Sequence, residues 1–579
     1  MLLLRLLGLV FDVLLLPLRL LARRKGVPEG AFVTIKIDGA VADVVAKPRI
    51  WEVRAQRATS IHEIAEMIES ASADPRVRGV IVTIKSFAGG MASATSVRRL
   101  LARARAAGKE VVVHLPLGGG TKEVIVATGA TKVFVGPAAH LAALGFASRT
   151  RYVKRALDRA GVVPEVYACG EYKSAGESLV RDAMSDAQRE QLGKLLDGFD
   201  AALVAAIAEG RGVGAERARE IVDEGPYHGE EAVLAGLADA AVYEDEIPER
   251  LGLRDDAKAA TRSRLADANR RFVDGHAYVA RRKRRLFRRL GRPPVIAVVP
   301  VHGPIAHAAS PFGNFATDDR LTRMVRAARL DPKVKGVILH IDSPGGSALA
   351  SDRMHHEIVQ LAREKPVVAC MANVAASGGY YVAAPAHRIV CEPVSITGSI
   401  GVVAARFTME PLLTKLGITT ETVKRGARAE MLSPTSPLSE DERAALRREL
   451  DATYRAFLRV VARGRKMTTD EVEPLARGRV YTGEEAKAVG LVDDLGGFDT
   501  ALEQVRARIA ADVRDRCEPV VMRPRRQPIP ILEVPAEGEG ARRAASALLA
   551  ALLPAPERIL VQLAATGERV LALWTGAAD

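Results

Sequence analysis

Cysteine is scarce. The four residues, Cys169, Cys370, Cys391 and Cys517, lie far apart and form no Cys-x-x-Cys, which argues against a disulfide framework or a zinc knuckle. Aromatic residues make up only 4% of the chain, too few for base-stacking nucleic-acid platforms. Glycine and proline follow no collagen period, so a fibrous architecture is excluded. No uninterrupted apolar span is present, because Arg5, Asp12, Pro17 and Arg19 interrupt the Leu-rich residues 2–21. What remains is a chain of 579 residues, 48% hydrophobic and 27% charged, which rules out disorder and leaves room for several domains. Its net charge of +14 favours an anionic partner, lipid surface or nucleic acid, without choosing between them.

The two ends read as membrane-facing candidates. Arg5, Asp12 and Arg19 are seven apart and drift only about 40° over two heptads, so they share one helix face. A charge at mid-span costs roughly 2.5–3.5 kcal/mol. The stripe therefore suits a helix lying in the interface, with Arg23, Arg24 and Lys25 on lipid headgroups; a spanning anchor and a cleaved signal are the alternatives. At the far end, residues 542–579 carry apolar clusters broken at Pro554 and Pro556. They read as two short helices, either a second membrane-facing element or a cap on the core. Before them, residues 522–540 are rich in Pro, Arg, Gly and Glu and read as a linker.

The middle repeats itself. Asp74-Pro75-Arg76-Val77-Arg78-Gly79-Val80 matches Asp331-Pro332-Lys333-Val334-Lys335-Gly336-Val337, an offset of 331 − 74 = 257. Each copy runs into a strand-like stretch, a glycine loop, a helical stretch and a Lys-led strand starting at Lys109 or Lys365. Tyr227-His228-Gly229-Glu230-Glu231-Ala232 later matches Tyr481-Thr482-Gly483-Glu484-Glu485-Ala486. Alternating strands and helices make each copy an α/β unit. The expected division is a membrane-associated segment (1–28), a first domain (29–255), a basic linker (256–292), a second domain (293–510), and a linker with an apolar helical tail (511–579). The linker's Arg281–Arg292 stretch holds eight Arg or Lys in twelve residues, a solvated or lipid-contacting run. No nucleic-acid fold accompanies it, so no nucleic-acid partner is expected.

Two residues stand out as chemistry. Ser377 lies in Ala375-Ala376-Ser377-Gly378-Gly379, after a strand-like run and before a helix-like one, where a corner exposes a side chain and leaves backbone N–H groups unused. The N–H groups of the loop Ser343-Pro344-Gly345-Gly346 can oppose that of Gly378 as an oxyanion hole, each donor contributing about 2.7–4 kcal/mol. A serine nucleophile needs a base. His355, His356 and His387 lack a triad context, which leaves a neutral lysine, and Lys173 in Glu171-Tyr172-Lys173-Ser174-Ala175 is the candidate. The repeat strengthens both choices. Ser377 falls on Thr121 in the first copy, and Lys173 falls on Ala429 in the second, so each copy keeps one member of a composite site. Neutrality near pH 7–8 would cost a lysine of pKa about 10.4 roughly 3–4 kcal/mol.

At these residues the chain resembles the long form of signal peptide peptidase A, a membrane-associated bacterial serine protease. The resemblance runs from about Phe32 to Gln504 and includes Tyr172-Lys173-Ser174-Ala175, Ser343-Pro344-Gly345-Gly346, Ala376-Ser377-Gly378-Gly379-Tyr380, Thr397-Gly398-Ser399-Ile400-Gly401 and Gly478-Arg479-Val480-Tyr481-Thr482-Gly483. It implies that Ser377 is the nucleophile, Lys173 the general base, and Ser399 a serine that positions the lysine. It also implies two tandem ClpP/crotonase-like domains, a homotetramer, no metal or cofactor, and signal-peptide-like or unfolded peptides as substrates. The body would face outward from a bacterial inner membrane, whereas the basic residues after the apolar stretch argue for the cytoplasmic side. An acyl-CoA enzyme of the crotonase type and a non-catalytic membrane scaffold are the competing readings.

Overall fold

The computed structural model describes residues 27–46, 58–253, 271–283, 293–307 and 315–523, and the backbone of 571–573. The expected helix within residues 1–25 and the basic stretch beyond Lys283 lie outside the described residues. The chain packs as two compact units, one from residues 1–145, 199–294 and 497–499, the other from 146–198, 295–496 and 500–579.

The first unit is built on a seven-stranded parallel sheet. Its main path runs Ala240–Ala241, Lys132–Val135, Glu110–Leu115, Val77–Ala88, Ala31–Ala42, Phe272–Asp274, with Thr59–Ser60 beside Ala31–Ala42. A small sheet joins Gly118–Gly120, His140–Ala142 and Tyr227–His228. The second unit repeats the plan. Its eight-stranded sheet runs Val480–Thr482, Ile396–Gly398, Val367–Ala376, Val334–Ser343, Val295–His302, Glu518–Val521, with Arg388–Cys391 branching off Val367–Ala376 and Asp494–Leu495 beside Arg388–Cys391. A second sheet orders Ala316–Thr317, Ile305–Ala306, Gly345–Ser347, Leu571–Leu573, Val402–Thr408 and Val163–Cys169. The central strands are continuous apolar runs because parallel sheets are covered on both faces; Val367–Met371 is buried throughout. The covering helices show one apolar stripe each, as in Ile61–Ser72, which buries Ile61, Ile64, Ala65 and Ile68 and is capped by Ser60.

The repeated motifs are structural. Asp74 Oδ1 accepts the Arg76 N–H at 3.1 Å and Asp331 Oδ1 accepts the Lys333 N–H at 2.9 Å, the same Asx turn before each sheet strand. Hydrogen bonds from Arg76 hold the Asp74 carboxyl down to about 2. Lys109 and Lys365 donate to turn carbonyls, Lys109 to Asp74 and Val77, Lys365 to Ala328 and Asp331. The following glycine has no room for a side chain: a Cβ on Gly79 would fall 2.0 Å from the Glu110 oxygen, and one on Gly336 would fall 2.4 Å from Val505 Cγ1. The Gly-Glu-Glu-Ala motif closes a helix start, with Glu485 accepting the Thr482 N–H at 2.8 Å and Glu231 accepting that of His228 at 2.8 Å.

The compact units do not follow the repeat boundary. Residues 146–198 come from the first repeat but pack in the second unit. Their strand Val163–Cys169 pairs antiparallel with Val402–Thr408 over seven residue pairs. Leu157, Val162, Ala175 and Leu179 share a buried cluster with Ala306, Phe315 and Val403. The helical tail also needs correction: Leu571–Leu573 is a strand, antiparallel to Gly345–Ser347 and to Val402–Thr408. Two strand edges with unmade backbone hydrogen bonds outweigh a helical preference there. The rest of that tail lies outside the described residues.

Candidate active site

Strand Val367–Ala376 ends one residue before Ser377, and helix Gly378–Ala383 begins one residue after it. Ser377 turns that corner at φ 54°, a left-handed value that costs a non-glycine residue about 1–3 kcal/mol. Its N–H donates to the Gly398 carbonyl at 2.8 Å, and its carbonyl accepts the Tyr381 N–H at 2.9 Å. The helix start is pressed onto the neighbouring strand, since a Cβ on Gly379 would meet the Ser343 oxygen at 2.7 Å. The Ser-Gly-Gly run is thus what lets the corner close.

Lys173 arrives on the loop that follows strand Val163–Cys169. Tyr172 N–H donates to the Arg477 carbonyl at 2.9 Å, and the Arg479 guanidinium stacks 3.8 Å over the Tyr172 ring. Gln191 Oε1 accepts the Val480 N–H at 2.9 Å, and its amide reaches the Tyr172 carbonyl at 3.5 Å. Gly478 lies under the loop, where a Cβ would fall 2.5 Å from Lys173 N. The Gly478–Gly483 motif therefore seats the lysine loop; the sequence reading did not single out Gln191 or Arg479 for this.

These elements bring three of the expected residues together. Lys173 Nζ lies 2.8 Å from Ser377 Oγ, 2.9 Å from Ser399 Oγ and 3.0 Å from the Ser399 carbonyl. Lys173 is 4% exposed and Ser377 fully buried. Burial holds the Lys173 amine well below the ordinary lysine range, and none of its three partners is a carboxylate that would restore the charge. A neutral amine has two N–H groups and one lone pair. The Ser399 carbonyl can only accept, and the Ser399 hydroxyl can accept the second N–H, which leaves the lone pair for the Ser377 hydroxyl. Ser399 itself has φ 52° and is fixed by its N–H on the Arg479 carbonyl at 2.7 Å.

The glycine loop differs from expectation in one detail. Gly345 N–H donates to Ser343 Oγ at 3.2 Å, which engages one of the loop's two candidate donors and leaves Gly346 to partner Gly378. Gly346, at φ 152°, is backed so closely by Ile305 that a Cβ would fall 2.1 Å from its carbonyl oxygen. Other nucleophile and base choices are poor. Burial pushes the Cys169 thiol up to about 12 and raises Cys391 further. His387 Nδ1 accepts the Val367 N–H at 3.1 Å, and burial holds His355 down to about 4.

The first unit's corner is built differently. Thr121 stands where the second unit has Ser377, at the head of helix Thr121–Ala127. Glu123 sends one carboxylate oxygen to the Phe87 N–H and the other to the Gly120 N–H, both at 3.0 Å. Phe87 and Gly120 are the repeat counterparts of Pro344, which has no N–H, and Ala376, so within the first unit a carboxylate bridges the two segments whose counterparts precede and flank Ser377. In the sequence Glu123 looks like an ordinary first-turn acid.

The family model for Peptidase family S49 matches residues 103–258 and 359–513, one span in each repeat. The chain is 33% identical over 484 residues to "Serine protease SPPA, chloroplastic" of Arabidopsis thaliana, covering 82% of this chain and 69% of that protein. The chain belongs to peptidase family S49. It is 31% identical to "Protease 4" of Salmonella typhi, covering 76% of this chain and 71% of that protein. To "Protease 4" of Haemophilus influenzae it is 28% identical, covering 82% and 78%. This S49 chain is a serine-type peptidase of mixed α/β structure with two family domains, as the resemblance to the long form of signal peptide peptidase A implied.

Proposed function

We propose that this peptidase works through Ser377 and Lys173. The neutral Lys173 amine takes the Ser377 proton as Oγ attacks a peptide carbonyl. The tetrahedral oxyanion is held by the N–H groups of Gly378 and Gly346. The protonated Lys173 then gives its proton to the departing amine, leaving an acyl ester on Ser377. Water, deprotonated by Lys173, attacks that ester and releases the acid product. The observation that supports this most is the 2.8 Å approach of Lys173 Nζ to Ser377 Oγ in a site whose burial disfavours the charged amine. Arginine could not replace Lys173, because it stays protonated. Peptidase assay on an apolar quenched peptide tests the reading: wild type should cut it, and Ser377→Ala and Lys173→Arg should not. Substantial turnover by folded Lys173→Arg would overturn the dyad.

The same reading takes signal-peptide-like and unfolded apolar chains as substrates, cut by an endopeptidase of the ClpP/crotonase-like fold. The body assembles as a homotetramer and is held on a bilayer by residues 1–25, outside the cytoplasm. A monodisperse active monomer in light scattering would remove the tetramer. Recovery of full-length protein in the soluble fraction at low salt would remove the membrane attachment, and protease accessibility in spheroplasts tests the side. Among the described residues no helix is long and apolar enough to cross a membrane.

A further inference from the structure

The two proposed oxyanion donors stand on separate pieces of chain, Gly346 on strand Gly345–Ser347 and Gly378 at the head of helix Gly378–Ala383. Each must lie about 2.7–3.1 Å from the developing oxyanion, so their spacing has to be held. One helix, Ala348–Glu364, packs against both pieces. It continues from Gly346 through its cap, Ser347, whose Oγ accepts the Ala350 N–H at 3.1 Å and whose carbonyl accepts the Ser351 hydroxyl at 2.8 Å. Just beyond, two neighbouring residues tie this helix to the rest of the site. Asp352 Oδ1 accepts the Tyr381 hydroxyl at 2.9 Å. Arg353 Nη1 lies 2.7 Å from Asp318 Oδ2, and His307 Nδ1 lies 2.8 Å from the same oxygen. His307 follows Ile305–Ala306, whose Ile305 stands opposite Gly346.

Tyr381 belongs to the nucleophile corner, because its N–H donates to the Ser377 carbonyl at 2.9 Å. Its buried ring meets His355 of helix Ala348–Glu364 edge-on at 5.4 Å and Phe457 at 4.8 Å. The repeat supplies an internal comparison. At the offset of 256 that carries Ser377 onto Thr121, Tyr381 falls on Ile125 and Asp352 on Ser96. At the offset of 257 set by the Asp-Pro motif, Asp318 falls on Ile61. All three counterparts are buried. Isoleucine can make neither link, yet the first unit also builds a helix after its corner, Thr121–Ala127. The fold therefore does not need these links, and they occur in the copy that carries the nucleophile.

We propose that Tyr381 and Asp352 are a positioning pair, which sets the spacing of the Gly346 and Gly378 N–H groups and so governs how well the tetrahedral oxyanion is held. The inference rests on the serine-peptidase reading of the site. Substrate binds before that oxyanion exists, so the pair acts on kcat and leaves KM alone.

Tyr381→Phe removes one oxygen, keeps the ring and tests this directly. It should lower kcat for an apolar quenched peptide about five- to thirtyfold with KM unchanged. A peptide aldehyde, which adds to Ser377 as a tetrahedral hemiacetal, should lose affinity by the same factor; a merely structural residue would not link the two. Asp352→Leu cuts the same bond from the exposed side and should match Tyr381→Phe, and the double variant should be no worse than either. Asp352→Asn keeps an acceptor and should recover most of the lost kcat. Thermal melts identify the folded variants, and Asp352→Leu carries the test if Tyr381→Phe does not fold. Wild-type kcat and aldehyde affinity in a folded Tyr381→Phe or Asp352→Leu would overturn the proposal. So would a loss of kcat with unchanged aldehyde affinity. No turnover by the wild type would overturn the peptidase reading, and the proposal with it.

Discussion

Replacing Lys173 with methionine keeps an unbranched side chain but removes the amine, which separates the cost of burying the lysine from its use. In the folded protein desolvation holds the Lys173 amine well below its ordinary pKa. In the unfolded chain it returns to about 10.4. Between those two values the unfolded state binds one proton more than the folded state, so folding stability rises with pH by about 1.4 kcal/mol per pH unit. Above about 10.4 the penalty is gone, and below the lowered value both states are protonated and the slope vanishes. Methionine carries no such penalty. Its advantage near pH 8 is offset in part by the lost bonds to Ser399, each about 0.5–1.5 kcal/mol, but those bonds add little pH dependence within the window. The advantage should therefore shrink by about 2 kcal/mol between pH 8.0 and 9.5. Urea titrations of Ser377→Ala and Ser377→Ala/Lys173→Met at both pH values read this without self-digestion. A stability difference that does not change with pH would refute the claim that Lys173 is buried neutral.

The activity of the wild type should fall on the acid side with a single-proton limb, because acid protonates the base; a limb near 10.5 would mean an unperturbed lysine. Ser399→Ala removes the hydroxyl 2.9 Å from Lys173 Nζ and should lower kcat roughly 5–30-fold through one lost hydrogen bond of about 1–2 kcal/mol, with KM steady. An equal rise in KM would point to a general structural defect instead. Gly478→Ala places a Cβ 2.5 Å from Lys173 N at φ +81° and should cost about 1–3 kcal/mol in a thermal melt as well as kcat. A variant with wild-type melting and wild-type kcat would show that the lysine loop does not depend on that glycine.

The parallel sheets were legible because their strands are unbroken apolar runs at matching places in two copies. The meeting of Lys173 with Ser377 was legible because each repeat carries one of the two and not the other. The packing of residues 146–198 with the second unit was not. Strand Val163–Cys169 finds its partner at Val402–Thr408, far along the chain, and local pattern carries no record of such a register. The tail strand was misread for a related reason: a short apolar run satisfies helix and strand periods equally, and its pairing partners decide. Gly345 and Gly346 are equivalent as oxyanion donors by sequence alone, and the Ser343 hydroxyl distinguishes them by taking the Gly345 N–H. The family motif at Gly478–Gly483 was visible, but its physical task, seating the lysine loop and capping a helix, depends on the close approach of Gly478 to Lys173 and on the Thr482–Glu485 cap.

The central claim is that Lys173 makes Ser377 a nucleophile, and covalent labelling tests it most directly. Full-length wild type and Lys173→Met are each treated with a fluorophosphonate probe at pH 8, and the modified residue is located by peptide mass spectrometry. The account predicts one adduct per chain, on Ser377, in the wild type, and labelling slowed by about 10²–10⁴-fold in Lys173→Met. Equal labelling of the two proteins, or an adduct on another residue with Ser377 unmodified, would contradict it.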